Sequence, residues 1–450
     1  MGLIRTIRKI IRMPIFASIL LFLAAILAAV VANSPLSEYY KDFLNLKISF
    51  NLGDFNLFSH MKHDITVLEF INDGLMTLFF LMVGLEIKRE VLAGELSTVR
   101  KAMLPIISAI GGMIVPVLVY ALFNHPGTEA GRGLAIPMAT DIAFSLGVLS
   151  LLGRRVPLAL KIFLTAFAVV DDIGGILIIA IFYSSHISIT YLGIAAVLFL
   201  IVYLGCKYYT RSTIFIAIMG VAIWYMFMQS GIHSTISGVI LAFIIPATPL
   251  ISSRRYVFKV NNAIGHLEYS HEKKPILDYN QMYYIGAIDK AKVKVMSPMQ
   301  SIEHALHPFV NYIVLPLFAF VNAGVKFSGG NEIIGGVSIG VALGLILGKF
   351  LGIYSFTWVA IKSKIVSMPS GMNWRNLAGV SLLGGIGFTV SLFVANLSFH
   401  VSNHEHADML NQAKFGVILG SIIAGVTGYL ILHYVLTHPK SDKEKALNRS

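Results

Sequence analysis

Charge is what this sequence has least of. Only 13% of its 450 residues are Asp, Glu, Lys or Arg, against roughly 25% in soluble domains. With 56% hydrophobic residues and a mean hydropathy of +0.76, there are too few polar side chains to cover a surface facing water. A soluble fold is excluded. Cysteine is nearly absent too: Cys206 stands alone inside an apolar run. An intrachain disulfide and a thiolate metal site are therefore excluded. No small-residue cleavage site follows the basic start MGLIRTIRKIIRMP, so the first apolar run reads as a retained span.

Long apolar runs take the place of charge. They recur from end to end, each close to the ~20 residues a helix needs to cross a ~30 Å hydrocarbon layer. The runs place spans at roughly 13–34, 67–92, 102–123, 129–151, 158–183, 190–207, 212–228, 231–247, 303–325, 335–360, 376–399 and 410–435. The expected fold is an all-α polytopic membrane protein of about 12 transmembrane helices, one integral transporter domain over residues 1–450.

The net charge of +12 raises nucleic acid as a partner, and its distribution excludes it. Lys and Arg gather in alternate connections: Arg5 to Arg12, Lys88 to Lys101, Arg154 to Lys161, Lys207 with Arg211, the stretch 251–299, residues 362–375, and the tail from Lys440 to Arg449. The connections 184–189, 229–231 and 400–409 contain none. This positive-inside pattern predicts a multi-pass protein of the cell inner membrane with both termini cytoplasmic.

Three segments lie outside the spans. Residues 46–58, LKISFNLGDFNLF, alternate with period two around Asn-Leu-Gly-Asp, which predicts an extracytoplasmic β-hairpin. A hairpin edge pairs readily with another edge, so 46–58 is an expected homodimer contact. Residues 252–299 form a long, polar cytoplasmic loop structured only in part, and 436–450 a cytoplasmic tail. Two spans are interrupted: GLAIPMATDIAF carries Pro137, Thr140 and Asp141, and SLLGGIGFTVS carries Gly384, Gly385 and Gly387. Opened backbone at membrane depth survives only where it lines a cavity. Broken helices in two halves of a chain point to a binding site in secondary transporters.

Ionisable groups inside a bilayer cost at least ~2.5–3.5 kcal/mol each. The spans nevertheless hold Asp73, Glu86, Asp141, Asp171, Asp172 and Lys349. Asp171 and Asp172 lie mid-span in TAFAVVDDIGGILII. Neighbours on a helix diverge by ~100°, so one carboxylate can face a cavity while the other turns to an adjacent helix. Lys349, in LILGKFLGIYSF, is the available counter-ion for one of them. The other is left without a cation, and away from water it favours its neutral form until a cation arrives. Competition of proton and cation for one site is the minimum mechanism of an antiporter. Oxygen ligands suit Na⁺ or Li⁺. His233 follows the break in QSGIHSTISG, and Glu303, His304 and His307 open a span as IEHALHP; histidine titrates near neutrality.

At these residues the sequence resembles the NhaA family of sodium/proton antiporters. The resemblance runs through 70–90, 136–157, 169–183, 230–243, 302–325, 347–353 and 381–395, with VVDDIGG, ATDIAF and LGGIGF its most specific elements. It implies inverted repeats, two broken crossing helices, a homodimer, and electrogenic exchange active at alkaline pH. It further implies that Asp172 holds the cation with Asp171 and Thr140, and that Asp171 partners Lys349. By the same resemblance, Asp141 and Lys349 compensate the opposed helix ends. Glu86, Arg89, Glu303, His304 and His307, together with His233, are the implied pH-sensing residues, and Asp73 a modulating one. No enzyme activity and no cofactor are expected; the partners are Na⁺ or Li⁺, protons and the lipid bilayer. The sequence departs from the family at Met299-Gln300-Ser301, where basic residues are usual, and in the length of 252–299. A proton-coupled carrier of an organic solute keeps the same topology. An intramembrane aspartyl protease needs its two aspartates on different helices and a GxGD motif, which is absent here.

Overall fold

Runs of Leu, Ile, Val, Phe and Ala leave the backbone no solvent partner in a bilayer, so its N–H and C=O groups close on themselves as helix. The computed structural model describes residues 14–438 apart from 50, 53–54, 57–58, 61–62, 184–186, 210–211, 268–275, 328–332 and 400–403. Its helices begin with α1 (Pro14–Ala32), α2 (Ser37–Asn45), α3 (Val67–Ala93) and α4 (Val99–Ala121). A 3-10 turn at Ala130–Met138 precedes α5 (Ile142–Leu151), followed by α6 (Leu158–Phe182), α7 (Ile189–Tyr208), α8 (Thr213–Ser230) and α9 (Thr235–Ile244). Then come α10 (Ser253–Gly265), α11 (Tyr279–Val295), α12 (Pro298–Asn322) and α13 (Gly336–Lys362). The chain closes with α14 (Trp374–Leu383), α15 (Phe388–Ser398) and α16 (His404–Thr437).

Among the described residues eight helices are long and apolar enough to cross a membrane, or up to eleven if each bent pair counts as one span. This is a multi-pass helical membrane protein. The bent pairs are α1 with α2 at 114°, Ala130–Met138 with α5 at 43°, and α14 with α15 at 44°. The run read as a span at 231–247 holds only α9, 10 residues long. At 1.5 Å per residue it reaches about half-way across the hydrocarbon layer. Gly231, with φ of 81°, ends α8 just before it. The other end of α9 is met by Lys88, whose ammonium donates to the carbonyls of Phe243 (2.7 Å) and Ile245 (2.5 Å). A cation there answers both the loose carbonyls and the negative end of the helix dipole.

Helix starts follow local chemistry. Thr66 and Glu69 form a reciprocal capping box at α3, with hydrogen bonds of 3.2 and 2.8 Å. Four spans carry a π-helical turn: Phe70–Leu75 in α3, Gly205–Tyr209 at the end of α7, Val310–Val314 in α12 and Gly344–Gly348 in α13. The first contains Asp73 and the last delivers Lys349; such turns re-aim the residues around them.

Close packing fixes where those residues sit. A Cβ on Gly352 would lie 2.1 Å from the Gly111 carbonyl oxygen, and one on Gly111 2.4 Å from that of Gly352. The α4 and α13 backbones therefore touch where Lys349, one turn earlier, enters the core. Ile218, Val221 and Leu430 point outward, as expected of side chains bathed in lipid.

Between α2 and α3 the chain makes two antiparallel ladders. Asn51–Leu52 pairs with Phe55–Asn56 inside the stretch read as a hairpin, and Ser59–His60 pairs with His63–Asp64 beyond it. Residues 252–299, read as a loop, carry α10 and α11, which pack on one another. The tail from residue 439 lies outside the described residues.

Candidate cation-binding site

The two interrupted spans meet at their breaks. Asp141 sits in extended backbone as the N-cap of α5, and its Oδ1 accepts from Phe144 N at 2.9 Å. Its Oδ2 accepts from Thr389 N (3.2 Å) and Thr389 Oγ1 (2.5 Å) at the start of α15. Its own N–H donates to Ile386 O at 2.7 Å. One carboxylate thus serves the positive ends of two helices. The loose carbonyls on the opposite side are met by hydroxyls: Thr140 Oγ1 donates to Gly384 O (2.7 Å), Ser145 to Leu383 O (2.9 Å) and Ser391 to Ile136 O (2.8 Å). Each break satisfies the other, which is how opened backbone persists in a dry interior. Asp141→Ala is expected to cost about 3 kcal/mol by stripping these donors of their acceptor. Asp141→Asn, which keeps an acceptor oxygen, should lose much less. Thermal unfolding of the detergent-solubilised variants separates the two.

Asp171 and Asp172 come from the middle of α6, beside this crossing, and are 1% and 6% exposed. Lys349 is fully buried, its ammonium 2.6 Å from Asp171 Oδ2 and 5.4 Å from the centre of the Phe167 ring. Thr140 stands beside the Asp171 carboxyl, whose Oδ1 is without a hydrogen bond among the described residues. The Asp172 carboxylate has no ion pair and no side-chain hydrogen bond among the described residues. It borders a small cavity of ≈ 10 Å³, lined also by Phe80, Ala139, Gly175 and Val390. That is the room one water needs, and it suits a bare cation rather than an organic solute. Both oxygens of Asp141 are engaged at the crossing.

The remaining sequence-derived candidates form two other groups. Asp73 and His233 meet with Nε2 and Oδ1 3.7 Å apart, and the His233 ring abuts Phe393 of α15 edge-on at 5.3 Å. Arg89 pairs with Glu303 and lies 3.6 Å from Glu86 and 3.4 Å from Glu90. Asp73 and Glu86 are 13 positions apart on α3, about 20 Å along a helix. His233 therefore does not join the Arg89 group. His304 and His307 are exposed on the first turns of α12, with His307 3.2 Å from Asn311. At the departure Met299-Gln300-Ser301, Gln300 closes a capping box with Ser297 and Met299 is buried. The residues there start a helix.

The family described as Na⁺/H⁺ antiporter 1 matches residues 8–432. The chain belongs to this family. It is 60% identical to a Na(+)/H(+) antiporter NhaA of Bacteroides fragilis over 436 residues, covering 97% of this chain and 99% of that one. A Na(+)/H(+) antiporter NhaA of Bacteroides thetaiotaomicron is 57% identical over the same shares. That of Rhodospirillum rubrum is 41% identical, covering 98% of this chain and all of its own. An NhaA-family chain is a transporter and not an enzyme.

Against this family assignment, several polar residues that organise the site were missed by sequence reasoning. Thr389, Ser391 and Ser145 stitch the crossing together. Asn72, Asn322 and Asn396 join α3, α12 and α15: Asn322 Nδ2 donates to Asn72 Oδ1 at 2.8 Å, and Asn396 Nδ2 to Asn322 Oδ1 at 2.8 Å. Their signal was available, since an amide inside an apolar run needs a partner as much as a charge does.

Proposed function

We propose that this NhaA-family chain extrudes cytoplasmic Na⁺ or Li⁺ in exchange for external protons, electrogenically, at Asp172 with Asp171 and Thr140. The observation that carries the reading is the asymmetry of the aspartate pair. Lys349 neutralises Asp171, while Asp172 borders a cavity of cation size without a counter-charge of its own. A lone carboxylate there is unfavourable as a bare charge. It holds either a proton or a cation, and exchanging one for the other as the site is exposed to alternate sides is antiport. Electrogenic exchange takes a second proton inward with each cation moved outward, and the Asp171–Lys349 pair is the available carrier for it.

The same proposal takes the bundle as twelve spans in inverted repeats in the inner membrane, both termini cytoplasmic. Twelve follows if the half-length α9 is counted with the eight unbroken spans and three bent pairs. The near-equal bends of the two crossing pairs support the repeat. Arg89 with Glu86 and Glu303, and the exposed His304 and His307, support a pH-responsive entrance; Asp73 with His233 supports a modulating contact. The backbone ladder within 46–58 supports a homodimer contact. In everted vesicles holding a proton gradient, Na⁺ and Li⁺ are expected to collapse the gradient reported by an acid-trapped dye. Absence of response to any alkali cation, with folded protein in the membrane, would contradict the proposal.

A further inference from the structure

The hairpin of α10 and α11 is set apart from the apolar bundle by its composition. Its stem is pinned where the spans end: Met299 N donates to Pro246 O at 3.2 Å, and Leu250 N to Lys294 O at 3.0 Å. Eight residues separate the end of α9 from the start of α10, so α10 leaves the bundle at the level where spans meet water.

α10 is built unlike a water-exposed helix. It carries Arg254, Arg255 and Lys259 and no acidic residue. Its Ala263 is buried, yet Val257, Phe258 and Ile264 are 53%, 70% and 50% exposed. At 100° per residue these three fall within an arc of about 120° on the side away from Ala263, an arc that also holds Arg254 and Asn261; Arg255 borders it next to Phe258, and Lys259 lies on the Ala263 side. α11 does not cover that side, because Tyr284 of α11 holds the far end of α10 by stacking on His266 at 5.4 Å. A helix with a Phe-bearing apolar face and a basic margin has the composition of one that lies in a lipid interface.

We propose that α10 docks on the bilayer beside the bundle, its Val257, Phe258 and Ile264 face entering the headgroup layer and Arg254 and Arg255 pairing with anionic phospholipid headgroups. Charge complementarity with Arg254 and Arg255, and a stem pinned where the spans end, select this occupant over a protein. The docked helix would hold the stem next to the start of α12, which carries Glu303, His304 and His307.

The test uses full-length protein with Cys206→Ser and Phe258→Cys, labelled at the new thiol with a polarity-sensitive fluorophore, one protomer per lipid nanodisc. Discs of zwitterionic lipid are compared with discs containing anionic phosphatidylglycerol. In anionic discs the label is expected to shift to the blue and to be shielded from a water-soluble quencher. Adding Arg254→Gln and Arg255→Gln should reverse this, lowering the docked-to-undocked ratio on the order of thirtyfold for two charges. These positions are exposed, so the variant should fold, which its unchanged unfolding temperature verifies. Equal quenching in both lipids would overturn the proposal. So would shielding that survives the double substitution, or that appears only when two protomers share a disc, since a protein surface would then be the occupant.

Discussion

Asp172→Asn is expected to reduce sodium-driven collapse of the proton gradient to background while leaving the protein folded and in the membrane. The substitution keeps the shape of the side chain and removes only its charge. At a separation of about 2.4 Å, usual for hard cations on oxygen, a unit charge contributes roughly 7 kcal/mol at an effective dielectric of 20. Even after about half of this is discounted for the cation's own hydration, the loss exceeds a hundredfold in affinity. Exchange assayed in everted vesicles at saturating Na⁺ measures it. Exchange within a few fold of the native protein would move the cation to another group.

The second large effect falls on stability. Lys349→Met leaves Asp171 as a buried carboxylate without its cation, and breaking a buried ion pair from one side costs about 3–5 kcal/mol. The double variant Lys349→Met with Asp171→Asn removes both charges and should recover most of that loss. Unfolding midpoints of the three proteins in detergent report the difference. If the single and double variants were equally destabilised, the role of Lys349 would be packing against Phe167 and not neutralisation of Asp171.

Much of the helical framework could be read in advance because it rests on composition. Apolar runs must become helices in lipid, and the bounds expected for 158–183 lie within a residue of α6. The interruptions at Pro137 and Gly384–Gly387 were visible for the same reason, as local breaks in an otherwise helical pattern. What escaped was non-local. Nothing near Asp141 in sequence announces that Thr389, 248 positions away, supplies two of its hydrogen bonds. The π-helical turn before Lys349 has no residue signature, and neither does the second ladder at Ser59–Asp64. Residues 252–299 looked loop-like because polarity was weighed above periodicity, although the Asp278 and Gln281 capping box that opens α11 was present in the sequence. The short α9 was read as a full span because hydropathy measures how apolar a segment is and not how far its helix runs.

The aspartate pair lies between these cases. The cost of charge in lipid made it certain that Asp171, Asp172 and Lys349 need one another or a ligand. Which carboxylate the lysine takes is a matter of helix rotation, and the contact at Gly111 and Gly352 sets that rotation by fixing where α13 crosses α4.

The central claim is that proton and sodium compete for one site. Sodium binding to purified protein, followed by calorimetry across a range of pH, tests it most directly. The predicted result is a dissociation constant that rises about tenfold per unit of acidification for each proton displaced, through the range where the aspartates hold protons, with protons released as Na⁺ binds. An affinity for Na⁺ that does not change with pH, with no proton released, would contradict it.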